Sequence, residues 1–145
     1  MPIRDCPFII DSAMGDIPRA ILPIQITNPH TGLSIKTNGL IDTGADECSI
    51  PAMYADLLGH NLKAVAPKDI GTGNGIAHAF PHTTRFDIYR PQTSELLYTI
   101  ADTPVDFMPN LEVVLLGVKK FLSNFILHVD YPAQTFSIRY SVKSK

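Results

Sequence analysis

The chain has 145 residues, 45% of them hydrophobic and 18% charged, with a formal net charge of −2. That length suits one domain, residues 1–145, able to bury a substantial core. The near-neutral balance gives no electrostatic reason to expect nucleic acid or an anionic membrane, and no apolar run approaches the ~18 residues of a spanning helix.

Residues 1–7 lack the charged start and continuous apolar run of a secretory signal, so the expected location is cytoplasmic. Cys6 and Cys48 show no CxxC or metal-ligand spacing. They could pair in principle; the simpler reading is two thiols in a reducing compartment. Residues 20–27 carry Ile21, Leu22, Ile24 and Ile26 and predict a strand, with Pro23 pointing to an edge position. Asn28-Pro29-His30-Thr31-Gly32 is a turn, and residues 33–41 return as its hairpin partner. Asn38-Gly39 has the composition of a type I′ turn. A turn there would leave only Leu40 and Ile41 before Asp42, so the pair stays in the strand.

Pro51 suits a first helical turn, and residues 51–58 with Gly59 as a stop predict one short helix. Residues 62–70 predict a strand and residues 71–75, Gly-Thr-Gly-Asn-Gly, a glycine-rich tip. Residues 84–89 and 96–101 predict two more strands joined around Arg90-Pro91-Gln92. Residues 102–110, with two prolines, predict a loop, and residues 118–124 a second short helix. Short, regularly spaced strands dominate, which makes an all-β, barrel-like fold the expected class.

The chemistry concentrates in residues 40–50, Leu-Ile-Asp-Thr-Gly-Ala-Asp-Glu-Cys-Ser-Ile, which contain the chain's single Asp-Thr-Gly. Such a triplet arises by chance in roughly one chain in thirty of this length, and Asp and Gly are ordinary turn residues. Context separates this one from a plain turn. Two apolar residues bring a strand up to Asp42, Gly44 lets the backbone turn beside it, and Thr43 offers a hydroxyl to lock the loop. About seventy residues later Val113-Val114-Leu115-Leu116-Gly117 supplies a buried strand and a glycine before residues 118–122.

These two segments, in this order and at this distance, resemble the retropepsin-like aspartic proteases. Residues 40–47 are similar to the active-site strand of the retroviral members, and residues 114–117 to the apolar-apolar-glycine element packed beneath it. Residues 124–130 and 134–138 are similar to the closing hairpin of the cellular and bacterial members. The resemblance spans residues 20–140 and implies a closed β-barrel of the acid-protease type with one or two short helices. It implies an aspartic endopeptidase needing no metal and no other cofactor. Two-lobed members carry two triplets, so one triplet implies a homodimer with Asp42 contributed by each subunit. Residues 7–10 and 136–140 are then expected near the interface.

The resemblance also implies supporting roles. Thr43 would reach across to the partner's loop and stiffen both. Gly44 and the backbone of Ala45 and Asp46 would bind an extended peptide as an added strand, with Asp46 and Glu47 near the ends of the cleft. Residues 71–75 fall where the family places its flap, so Gly73, Asn74 and Gly75 are expected to contact substrate; a flexible turn with no lid role is the alternative. Retroviral members place an arginine straight after the glycine matching Gly117, paired with the acid matching Asp46. This chain has Val118 there.

Other motifs carry less. A phosphate-cradling loop at residues 71–75 would need a helix directly after it, and residues 76–81 do not form one by pattern. His78 and His82 have a zinc-like spacing only on a helix, which Pro81 opposes. His30, His60 and His128 are isolated and expected at the surface or in turns. The rival functional reading is a catalytically inactive module that uses the same fold for dimerisation or peptide binding.

Overall fold

The computed structural model describes residues 2–64, 66–72 and 75–140. Among these residues the strands are β1 (Ile3–Pro7), β2 (Ile21–Thr27), β3 (Ser34–Ile41), β4 (Cys48–Pro51), β5 (Lys68–Thr72), β6 (Gly75–Tyr89), β7 (Leu96–Met108), β8 (Val114–Leu116), β9 (Phe125–Asp130) and β10 (Thr135–Tyr140), with one α-helix, α1 (Tyr54–Leu58). Six strands close on themselves in the order β2-β3-β8-β4-β7-β6, because β6 returns to pair with β2. The fold is therefore all-β and a closed barrel. β5 hangs on the outer side of β6 as an antiparallel partner, and β1, β10 and β9 form a separate three-stranded sheet.

Alternation drives the closure. Leu22, Ile24 and Ile26 of β2 point into the barrel, where they meet Ile50, Phe86, Ile88, Phe107 and Leu116. Phe86 packs edge-on against Phe121 at 5.3 Å, tying the wall to the turn that follows β8. Asn38 and Gly39 remain in β3, opposite Pro23 and Leu22. Pro23 does not make β2 an edge strand. Pairing to β6 begins at Ile24, so the proline sits one residue outside that ladder and no hydrogen bond is lost.

Several boundaries differ from the sequence expectation. Pro51 closes β4 rather than opening a helix, and α1 starts at Tyr54 and ends at Gly59, whose φ of 76° supplies the left-handed cap. Residues 62–64 form a 3-10 turn, so the following strand begins only at Lys68. The expected loop at 102–110 is largely strand. Thr84 faces Thr103 and Phe86 faces Ile100, so β7 holds one extra residue there. Asp102 takes up that residue at a φ of 52°, and this bulge lets β7 run on through Pro104 to Met108. Residues 118–121 form a turn and Leu122–Asn124 a 3-10 turn in place of the second helix. The closing hairpin is present as β9 and β10.

His60 corrects the surface expectation: it is only 8% exposed. Asn28 and Thr31 donate to the Leu58 carbonyl at 2.8 and 2.9 Å and so dock the end of α1, which delivers His60 to the barrel wall. There its ring lies 4.5 Å from that of His82 on β6 and 5.1 Å from Phe107 on β7. Neither Nε2 has a hydrogen-bond partner among the described residues. Burial, then repulsion from His82 and His30, lowers the His60 pKa to about 4, and burial lowers that of His82.

A histidine with a folded pKa below its unfolded value stabilises the fold fully above the unfolded value and loses that contribution as pH falls. For His60 the loss runs from about pH 6.5 down to about pH 4. After allowance for screening it amounts to on the order of 2 kcal/mol. Melting temperature should therefore fall across that window, and His60→Phe should flatten the fall. Parallel melting curves against pH for the two proteins would count against this account.

Candidate active site

Asp42 stands at the end of β3, where the chain leaves the barrel wall. Its N–H donates to the Leu116 carbonyl of β8 at 3.1 Å, its carbonyl accepts from the Ala45 N–H at 3.2 Å, and its Oδ1 accepts from the Gly44 N–H at 3.0 Å. Three bonds thus orient the residue, and the remaining carboxylate oxygen is left for another partner. Gly44 is not needed for a left-handed backbone, since the positive-φ glycines among the described residues are Gly15, Gly32 and Gly59. A side chain there would instead sit 3.4 Å from the Asp42 carboxylate. The glycine keeps the approach to the acid open.

β8 passes between β3 and β4, parallel to the first and antiparallel to the second, directly under this loop. Val118 N–H donates to the Ala45 carbonyl at 2.9 Å and Lys119 N–H to the Asp46 carbonyl at 2.7 Å. A methyl group on Gly117 would stand 2.6 Å from the Glu47 carbonyl carbon and 2.8 Å from the Ala45 oxygen, so the crossing admits only glycine. Gly117 N–H points at the Cys48 sulfur, 3.4 Å away. Burial pushes the Cys48 thiol up to about 12, against that hydrogen bond and with help from the Glu47 and Asp106 charges, so it stays protonated.

The sequence departure at Val118 is resolved in an unexpected way. Asp46 is exposed and its side chain has no ion pair among the described residues; its backbone makes the contact with the turn. Charge pairing moves one residue along. Glu47 carboxylate oxygens lie 4.0 Å from Lys119 Nζ and 4.0 Å from Lys68 Nζ, and Lys68 Nζ lies 3.0 Å from Asp106 Oδ1. Asp106 is almost wholly buried on β7, beside β4. Sequence reasoning missed Lys68 and Asp106. Asp106 fell in the presumed loop, and only the continuation of β7 turns it toward β5.

The remaining expected residues divide. Ala45, Asp46 and Glu47 lie on the Asp42 loop. Thr43 is exposed, and its hydroxyl has no partner among the described residues. Gly75 pairs with Thr72 where β5 and β6 meet; Gly73 and Asn74 lie outside the described residues. His78 and His82 do not come together: His78 pairs with exposed Asp69 at 3.0 Å, and His82 faces His60. Among the described residues no group of three or more His, Cys, Asp or Glu is placed to hold a metal ion.

A groove of about 550 Å³ opens beside Asp42 and Thr43, lined also by Phe8, residues 17–20, Leu127, Val129 and Tyr131, with the Phe8 and Tyr131 rings packed edge-on at 5.9 Å. Tyr131 is 73% exposed and Ile17 58% exposed. Phe136 and Ile138, expected near an interface, are instead buried in the chain's own core. The exposed apolar side chains of that region are Ile9, Ile10, Ile126, Tyr131 and Tyr140.

No family model matches the sequence, and no curated protein matches it. Solved structures do match the fold, 72 chains in all. One is the crystal structure of a retropepsin-like aspartic protease from Rickettsia conorii, 20% identical, with a TM-score of 0.57 over 83% of this chain and 92% of that one. The six-stranded closure, the crossing of β8 under the Asp-Thr-Gly loop and this likeness together define the architecture: the chain has the retropepsin-like fold.

Proposed function

We propose that the protein is a homodimeric aspartic endopeptidase in which Asp42 of each subunit supplies one carboxylate. The observation that carries this reading is the Asp42 loop itself, an acid held by three hydrogen bonds at the open end of a barrel with the retropepsin-like fold. A purely structural role gives no reason to hold a half-buried carboxylate with one oxygen free.

Two such carboxylates a few ångströms apart share a single proton, because like charges that close do not both ionise. The ionised member takes a proton from a bound water, which attacks the peptide carbonyl. The protonated member hydrogen-bonds the carbonyl oxygen as charge develops there. The peptide binds as an added strand. The carbonyls of Ala45 and Asp46 are engaged by the turn after Gly117, and the amides of Gly44 and Ala45 by Asp42. Of the backbone groups of residues 44–46, this leaves the Gly44 carbonyl and the Asp46 amide to receive the substrate backbone. The β5–β6 hairpin is the proposed flap, and its base lies beside Glu47, five residues after Asp42.

The groove next to Asp42, with exposed Ile17 and Tyr131 on its walls, and the unpaired Thr43 hydroxyl support a second copy seated there. The two buried, unpaired thiols Cys6 and Cys48 fit the cytoplasmic location expected from sequence.

Sedimentation at micromolar concentration should give a dimer, and specific activity should fall as dilution produces monomer. Constant activity per mole through that dilution would refute the shared site. Asp42→Asn should abolish peptide hydrolysis, by about a thousandfold or more, with dimer and melting temperature retained. The amide is nearly isosteric but accepts no proton from water, so the base disappears from both half-sites. An Asp42→Asn protein that cleaves peptides at the wild-type rate would remove Asp42 from the mechanism.

A further inference from the structure

We propose that Lys68 is a positioning residue that ties the base of the β5–β6 hairpin to the body of the barrel through Asp106, and to the catalytic loop through Glu47. The inference rests on the reading of Asp42 as catalytic for its effect on turnover, and on geometry alone for the tie.

β5 lies at the end of its sheet, hydrogen-bonded to β6 on one side only. Backbone pairing therefore ties β5 to β6 alone, while β6 is held to β7 from Phe80 onward, so β5 has no backbone ladder of its own to the barrel or to the Asp42 loop. Lys68 is the first residue of β5, in register with Ala79 of β6. From there its ammonium spans to Asp106 Oδ1 on β7 at 3.0 Å and stands 4.0 Å from Glu47 Oε2. It thus joins the hairpin's free edge to two other elements at once. Lys119 approaches Glu47 from the turn after β8, again at 4.0 Å, so the loop carboxylate lies between two cations from separate segments.

The asymmetry of burial gives the tie its strength. Exposed ion pairs contribute little, because water replaces the lost partner. The Asp106 side chain is only 2% exposed, and its Oδ1 has no aligned hydrogen bond among the described residues. Lys68 is the only cation among those residues within ion-pair distance of it. When β5 lifts away, Asp106 is left as a charge withdrawn from water with nothing beside it, which is strongly unfavourable. The hairpin base is held down by the cost of stranding that carboxylate. Substrate capture depends on the hairpin's position, whereas proton transfer at Asp42 does not pass through Lys68.

The test compares the full chain with Lys68→Met, Lys68→Arg and the double variant Lys68→Met/Asp106→Asn, by amide hydrogen exchange and steady-state peptide cleavage. In Lys68→Met, exchange in residues 68–72 and 75–79 should quicken on the order of tenfold while barrel strands β2 and β3 keep their protection. Over the same change KM should rise by a similar factor, with kcat within about twofold. Lys68→Arg, which keeps the charge, should restore both. The double variant removes the stranded carboxylate, so it should regain melting temperature but keep the fast hairpin exchange. Hairpin exchange unchanged in Lys68→Met, or quickened equally throughout the barrel, would overturn the tie. If the unsubstituted protein cleaves no peptide, the reading of Asp42 fails, and the exchange measurements still decide the role of Lys68.

Discussion

The close crossing of Gly117 under residues 45–47 is the constraint from which the rest of the site follows. Only a residue without a side chain can lie against the carbonyls of Ala45 and Glu47, and that closeness lets the next two amides reach Ala45 and Asp46. β8 at the same time hydrogen-bonds β3 and β4, so the strand entering the loop, the strand leaving it and the strand beneath it form one unit. Asp42 is rigid because its own amide belongs to that unit. The crossing also engages two of the loop's carbonyls, those of Ala45 and Asp46.

Electrostatics around the loop have been moved outward relative to the retroviral pattern implied by sequence. With Val118 in place of a cation, the loop is held by backbone hydrogen bonds, and the charges gather at its edge on Glu47, Lys119, Lys68 and Asp106. Under the proposed mechanism such charge-free support would suit a pair of carboxylates sharing one proton, because a fixed cation close by would favour both being ionised. Cys48 lies beneath as a thiol locked in its protonated form, so it adds neither charge nor nucleophilicity there.

The buried histidines impose a different condition. His60, just after α1, and His82 on β6 are packed as neutral rings against Phe107 of β7. Acid charges these imidazoles, whose burial holds them neutral, and so weakens the wall to which β6 belongs. The fold's tolerance of acid is thereby limited by the packing of these two rings.

Much of this was legible in the residues. Asp42-Thr43-Gly44 after an apolar strand, and Gly117 after another, are local patterns, and local patterns survive in sequence because each needs particular side chains at adjacent positions. The closing hairpin and the β-rich class are legible for the same reason. The long strands were not: β7 continues past Pro104 because a bulge at Asp102 absorbs one residue, and a bulge is a property of two strands in register, not of one segment. The burial of His60 depends on α1 being docked by Asn28 and Thr31, thirty and twenty-seven residues before the carbonyl they share. Lys68, Glu47, Asp106 and Lys119 become neighbours only once the barrel closes. Sequence by itself determined the acid, its glycine and the strand beneath them; the tertiary structure alone decided which charges and imidazoles surround them, because those contacts join segments with no adjacency along the chain.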